Sequence, residues 1–316
     1  MNNPTFMIDA WDFSAKTPVK IEQISEFQSQ CWYHCQRSDE HLATWFESVG
    51  IDKELIQALI AEDTRPRFQK VGEDSFFMIL RGVNLNKGAE PDDMLTLGIL
   101  FHRGSLITIR RRQFKAILGL RDALEQGQGA TSTAELFISI IEHINARISD
   151  VLHQTEDFIE LVEDQIDTLE KEQQHELTMM HRRLLKLSRF LKPQSAALSA
   201  LEQSHMPLLA NFHQRLLNQK DTALAISETI TSYLDHIWIL REHMQQALSE
   251  VMSRNSYWLS MVAGVFLPLG FLTGLFGINI AGMPGTDDPT AFIIFCTALA
   301  LLGFVEYLLF RRLKFL

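Results

Sequence analysis

A run of 32 residues, Asn255 to Thr286, carries no charged side chain and begins directly after Arg254. A helix needs about 20 apolar residues to cross a hydrocarbon core. This run is long enough to do so and to carry a polar end, Gly277-Ile278-Asn279, at its far side. A second apolar stretch, Ala291 to Phe310, is followed by Arg311-Arg312-Leu313-Lys314. The short connection holds Asp287 and Asp288 and no Lys or Arg. Positive charge on short flanks marks the cytoplasmic side. The pattern predicts a membrane hairpin over 255–316, with spans of about 255–276 and 291–310. Both termini are then cytoplasmic and the acidic loop lies outside.

The residues before this hairpin are charged and soluble in character. A net charge of -10 argues against a nucleic-acid partner, because phosphate binding needs basic patches. An acidic surface suits cations or simply solubility. Three cysteines, Cys31, Cys35 and Cys296, with no secretory signal at Met1-Asn2-Asn3-Pro4, predict free thiols in a reducing cytosol.

Residues 1–132 read as a cytoplasmic α/β domain. Thr5–Phe13 and Cys31–Cys35 suit strands, and four more candidates follow at 67–71, 76–83, 94–102 and 106–110. Residues 41–49 and 52–61 carry helical periodicity. From Thr133 the character changes, and 133–254 reads as a long helical stalk. Glycine is absent from Ala130 to Val262, and apolar residues recur at helical spacing, as at Ile148, Val151, Phe158 and Val162. Pro193 is expected to end or kink a helix, since proline removes a backbone donor. The helix after Pro207 is expected to continue into the first span.

Two helices cannot enclose a polar path, so conduction by this chain requires several copies. Stepping back from Gly270 at helical spacing gives Leu267, Ala263, Leu259 and Ser256. This face could line a pore for a hydrated ion, or equally pack on lipid and neighbouring helices through Gly264, Gly270 and Gly274. Asn279 joins the line only where the helix unwinds near Gly277. Its amide could hold the hydration waters of a metal ion, or serve as a helix cap. Asp287 and Asp288 could form a negative outer mouth, or a hydrated turn. Glu306, a carboxylate within an apolar span, is expected to snorkel or to pair with Arg311 and Arg312.

Eight histidines fall on the stalk, among them His153, His236 and His243, and are expected on polar helix faces rather than as zinc ligands. If Cys31–Cys35 is a strand, the two thiols share a face and His34 points away, which suits core packing. No phosphate-binding glycine loop, catalytic triad or carboxylate pair stands out, so neither an enzyme nor a resident cofactor is expected.

In this order the pieces resemble the CorA superfamily of divalent-cation transporters. The resemblance is carried by Gly277-Ile278-Asn279 and by Ala61-Glu62-Asp63-Thr64-Arg65-Pro66-Arg67. It extends to Leu80-Arg81-Gly82-Val83-Asn84-Leu85-Asn86, Phe271–Gly277 and Gly282-Met283-Pro284-Gly285, and it covers nearly the whole chain. Ile278, where magnesium transporters have methionine, is similar to the zinc-transporting ZntB branch. The resemblance implies an α+β membrane protein: an α/β/α cytoplasmic funnel, a long stalk and two C-terminal transmembrane helices, assembled as a homopentamer in a bacterial-type inner membrane. It implies zinc as transported substrate, with proton-coupled uptake, first spans lining the pore and an Asn279 ring at its mouth. Many relatives have threonine or another polar residue where this chain has Gly270, so this pore would have one polar ring fewer. A magnesium or cobalt channel of the same fold, and a membrane-tethered sensor without conduction, are the alternatives.

Overall fold

Alternation of side chains along strands decides how the N-terminal half layers. The computed structural model describes residues 4–15, 17–24, 26–62, 64–166, 171–278, 285 and 288–312. Seven strands form one sheet: β1 (Met7–Asp12), β2 (Val19–Lys20), β3 (Cys31–Gln36), β4 (Arg67–Lys70), β5 (Phe76–Gly82), β6 (Leu95–His102) and β7 (Ser105–Arg110). Their order is β2-β1-β3-β7-β6-β5-β4. Only β3 and β7 pair in parallel, with Tyr33 opposite Ile107.

Both faces of the central strands are buried, and successive residues serve opposite layers. On one side, Phe77, Ile79, Leu100, Ile107 and Ile109 pack with Leu42 and Phe46 of α1 (His41–Val49) and Ile56 and Leu59 of α2 (Lys53–Ile60). On the other, Phe76 stacks on Phe101 and meets Phe137 of α4 (Thr133–Asp164) at 5.0 Å between ring centres. The helix α3 (Lys115–Glu125) packs on α4, and α5 (Lys171–Gln203) lies on β4 and β5. The result is an α/β/α sandwich.

The N-terminus of α4 is specified by a local exchange. Ser132 Oγ accepts from the Glu135 N–H at 3.1 Å, and Glu135 Oε2 accepts from the Thr131 N–H at 2.8 Å. Each bond satisfies a donor that a helix start leaves open.

Pro193 neither ends nor interrupts α5, which corrects the expectation from sequence. Packing outweighs the missing donor. Leu191 and Leu198 are buried, and Gln194 Oε1 accepts the Arg81 backbone N–H at 2.7 Å. The break comes after Gln203, at the 3-10 turn Pro207–Phe212, from which α6 (His213–Phe276) runs on. The last helix, α7, spans Ala291–Arg312.

Cys31, Tyr33 and Cys35 face the α1–α2 core, whereas Trp32 and His34 share the hydroxyl of Thr108, each at 2.8 Å. Burial, then the charges of Arg110 and Arg121, push His34 down to about 3. Above the ordinary histidine range, near 6.5, both folded and unfolded chains hold this ring neutral. As pH falls through the window from about 6.5 towards 3, the unfolded chain takes up a proton that the folded chain refuses. Stability is therefore lost at about 1.4 kcal/mol per pH unit from this group. Denaturant midpoints of wild type and His34→Gln, compared at pH 6.5 and 5, should show the wild type losing about 2 kcal/mol more than the variant.

Candidate functional site

The chain forms two compact units, Met1–Leu240 and Arg241–Leu316, and the candidate site lies in the second. Two of its helices are long and apolar enough to cross a membrane, the C-terminal part of α6 and all of α7. Within this unit they pair antiparallel: Phe276 stacks near Phe295, 5.0 Å between ring centres, and Gly264 lies against the Phe310 ring.

The seam between them is selective. On α6, Tyr257, Met261, Val265, Pro268 and Leu272 are half-covered; on α7, Phe295, Leu299, Leu302, Glu306 and Phe310 are. Both sets step by three or four residues, the spacing of one helix face. Ser256, Leu259, Ala263, Leu267 and Gly270 are all exposed. At about 100° per residue their mean direction is roughly opposite the α7 seam. Leu267 is 73% exposed, and a Cβ added at Gly270 or Gly274 meets nothing within 4 Å. Among the described residues, therefore, α7 covers none of the face singled out from sequence.

Gly264 is the close-approach glycine of the hairpin. A Cβ there would lie 2.9 Å from Phe310 Cζ. Gly264→Val forces that ring to move and should cost the α6–α7 pairing about 1–3 kcal/mol, as overpacking does. Gly270→Ala should leave the pairing unchanged. Thermal unfolding of both variants in micelles checks the contrast.

At the upper end, α6 stops at Phe276. The Gly277 N–H donates to Thr273 O at 2.9 Å, and a Cβ at Gly277 would sit 2.9 Å from that same oxygen. Only glycine closes this last turn without displacing it. Ile278 follows, 45% exposed. Asn279 and Asp287 lie outside the described residues. Asp288 begins the next helix: its Oδ1 accepts from the Thr290 N–H at 2.8 Å and hydroxyl at 2.7 Å. These bonds, the backbone one first, hold its carboxyl below the usual range.

Glu306 does not pair as expected. Its Oε2 is buried with no hydrogen-bond partner, and among the described residues it forms no ion pair with Arg311 or Arg312. It faces the seam where Pro268, lacking an N–H, cannot donate to the Gly264 carbonyl.

In the first unit, negative charge gathers along α4. Burial and the adjacent Glu156 push the Tyr233 hydroxyl up to about 12, with Glu160 and Asp157 adding to the effect. His236 Nε2 lies 3.1 Å from Glu163, and His153 Nδ1 lies 3.7 Å from Glu156. Among the described residues no three His, Cys, Asp or Glu side chains come together to hold a metal ion.

The family described as "CorA-like Mg2+ transporter protein" matches residues 27–312. The chain belongs to this CorA-like family. A relative named "Zinc transport protein ZntB", from Vibrio parahaemolyticus, is 35% identical over 313 residues, covering 98% of this chain and 97% of its own. A "Divalent cation transporter CmaX" from Pseudomonas aeruginosa is 31% identical over 293 residues, covering 92% and 88%. The solved structure of full-length CmaX superposes with a TM-score of 0.83 at 28% identity, covering 98% of each chain. The CorA-like architecture, an N-terminal α/β/α unit and two C-terminal apolar helices, is thus shared along the length of both chains.

Proposed function

We propose that this CorA-like chain is a homopentameric zinc transporter of a bacterial-type inner membrane, with both termini cytoplasmic. The observation that carries the reading is the uncharged face of α6, Ser256 through Gly270, which α7 leaves uncovered. Five such faces around an axis would enclose an apolar lining. It offers no oxygen ligands below its mouth, so the cation passes with much of its hydration shell. Gly277-Ile278-Asn279 forms the selectivity motif, and an Asn279 ring holds the ion through its waters. Asp287 and Asp288 make the mouth negative, and the acidic α4 surface keeps the exit attractive to cations.

Zinc is favoured by the name of the Vibrio relative and by Ile278. The CmaX name supports a broader divalent-cation channel, passing magnesium or cobalt, as the second reading. Zinc is substrate here, not cofactor, and no enzymatic step is assigned. Uptake coupled to protons is the finer part of the proposal, and Glu306 is the one carboxylate in either apolar span available to it.

Zinc flux into sealed vesicles of purified protein, with and without an imposed pH gradient, tests the reading. Saturable flux that collapses in Asn279→Ala supports it. Metal-impermeable vesicles, or full flux in Asn279→Ala, overturn it. Flux that ignores the gradient removes the coupling and leaves the pore.

A further inference from the structure

The two segments that mark the N-terminal half by resemblance, Ala61–Arg67 and Leu80–Asn86, have no place in the ion pathway. They meet in a pocket of about 170 Å³ at one end of the sheet. This is the end where the parallel pair β3 and β7 finishes, at Gln36 and Arg110, and where the Arg37 N–H donates to the Arg110 carbonyl at 2.8 Å. Crevices beyond the carboxyl ends of parallel strands are the usual ligand sites of α/β sheets.

Four arginines line it: Arg37, Arg81, Arg111 and Arg112. Two carboxylates, Glu62 and Asp93, are the only acids among the lining residues. Four positive against two negative leaves the described lining at net +2, in a chain whose net charge is -10. Asp63 lies outside the described residues and is not counted.

The arginines fall into a fixed floor and a loose rim. Arg81 is 8% exposed and held by its fork: Nη1 donates to Met94 O at 3.1 Å and Nη2 to Thr64 O at 2.7 Å. The Phe190 ring covers it at 4.4 Å. Arg37, half-buried, donates to Ala61 O at 3.2 Å. Burial and the neighbouring charge of Arg111 lower its pKa, with Glu62 offsetting part of the effect. Arg111 and Arg112 pair with Glu62 and Asp93 at 3.1 Å each, but all four side chains are more than half exposed. Such surface pairs are weak and exchange partners readily.

We infer that this pocket binds a phosphate group, which Arg37 and Arg111 grip with the Arg81 floor fixing the geometry. Planar guanidinium forks match phosphate oxygens in pairs. A dianion would offset the surplus charge and relieve the repulsion between Arg37 and Arg111. The volume is several times that of a water, about 30 Å³. It is below the roughly 300–1,000 Å³ of pockets that enclose a drug-sized molecule. The pocket therefore takes the phosphate itself and leaves any attached group outside. Orthophosphate and the terminal phosphate of a nucleotide share this chemistry.

The inference is independent of transport, and its test needs no flux. Full-length protein in micelles is titrated calorimetrically with orthophosphate and, separately, with ATP, at physiological ionic strength. Saturable binding of either probe is expected. Arg37→Gln and Arg111→Gln should each weaken it by about tenfold or more, the loss of one charge-assisted contact. Arg103→Gln, in the β6–β7 turn, should not. Equal affinities for the two probes would assign free phosphate, and markedly tighter ATP would assign a nucleotide. No saturable binding of either, wild-type affinity in Arg37→Gln, or equal weakening in Arg103→Gln overturns the site. Circular dichroism of each variant verifies its fold.

Discussion

Leu267→Arg should lower zinc flux per inserted molecule by roughly a hundredfold or more. Leu267 sits midway along the uncovered face of α6, 73% exposed, and the segment from Asn255 to Phe276 has no charge to neutralise an arginine. A dication about 10 Å from one such charge, at an effective dielectric of about 20, is disfavoured by about 3 kcal/mol. That alone is about a hundredfold in rate, and a ring of arginines multiplies it. A lipid-facing Leu267 gives a different result. Arginine at mid-span then costs about 2.5–3.5 kcal/mol of insertion, and reduces the amount of protein in the membrane rather than the flux of each inserted molecule. Leu301→Arg, on an exposed part of α7, is the matched control and should leave flux per inserted molecule unchanged. Leu267→Asn, uncharged and of similar size, should retain flux. A loss of flux equal in Leu301→Arg and Leu267→Arg would remove the pore lining from α6.

Local rules made much of the fold readable, and tertiary contacts account for what they missed. The strands 76–83 and 94–102 and the helix 41–49 are bounded by glycine, asparagine and proline, and they appear within a residue of those limits. Helix α3 gave no comparable signal. Its cap, Phe114, makes no side-chain bond, its first turn has no acid, and Gly119 weakens its middle. Pro193 misled because its penalty is local and the packing of Leu191, Gln194 and Leu198 is not. In the hairpin, spacing alone picked out Ser256 through Gly270 as one face. Which neighbour that face lacks became visible only with α7 in place. The snorkelling expected of Glu306 ignored the direction of its side chain, which helical phase turns into the seam. The arginine pocket could not be seen at all, since residues 37, 62, 81, 93 and 111 converge only through the sheet.

Arg81→Ala should be the most damaging single change in the N-terminal unit, costing about 3–5 kcal/mol. The guanidinium is buried, and its two measured partners are main-chain carbonyls from separate segments, Thr64 O at 2.7 Å and Met94 O at 3.1 Å. Truncation leaves both acceptors without their donor, at about 1–3 kcal/mol each where water cannot replace it. It also strips the cation from the Phe190 ring and opens a space beside β5. Arg81→Met separates these contributions. It refills the volume but supplies no donors, so it should recover the packing part, about 1–2 kcal/mol, and no more. Arg81→Lys restores one charge and one donor but cannot reach two carbonyls with fixed fork geometry, and should remain well below wild type. Denaturant unfolding followed by near-ultraviolet circular dichroism ranks the three. Stability equal to wild type in Arg81→Met would mean that the carbonyls find other donors and that the clasp between Thr64 and Met94 holds nothing.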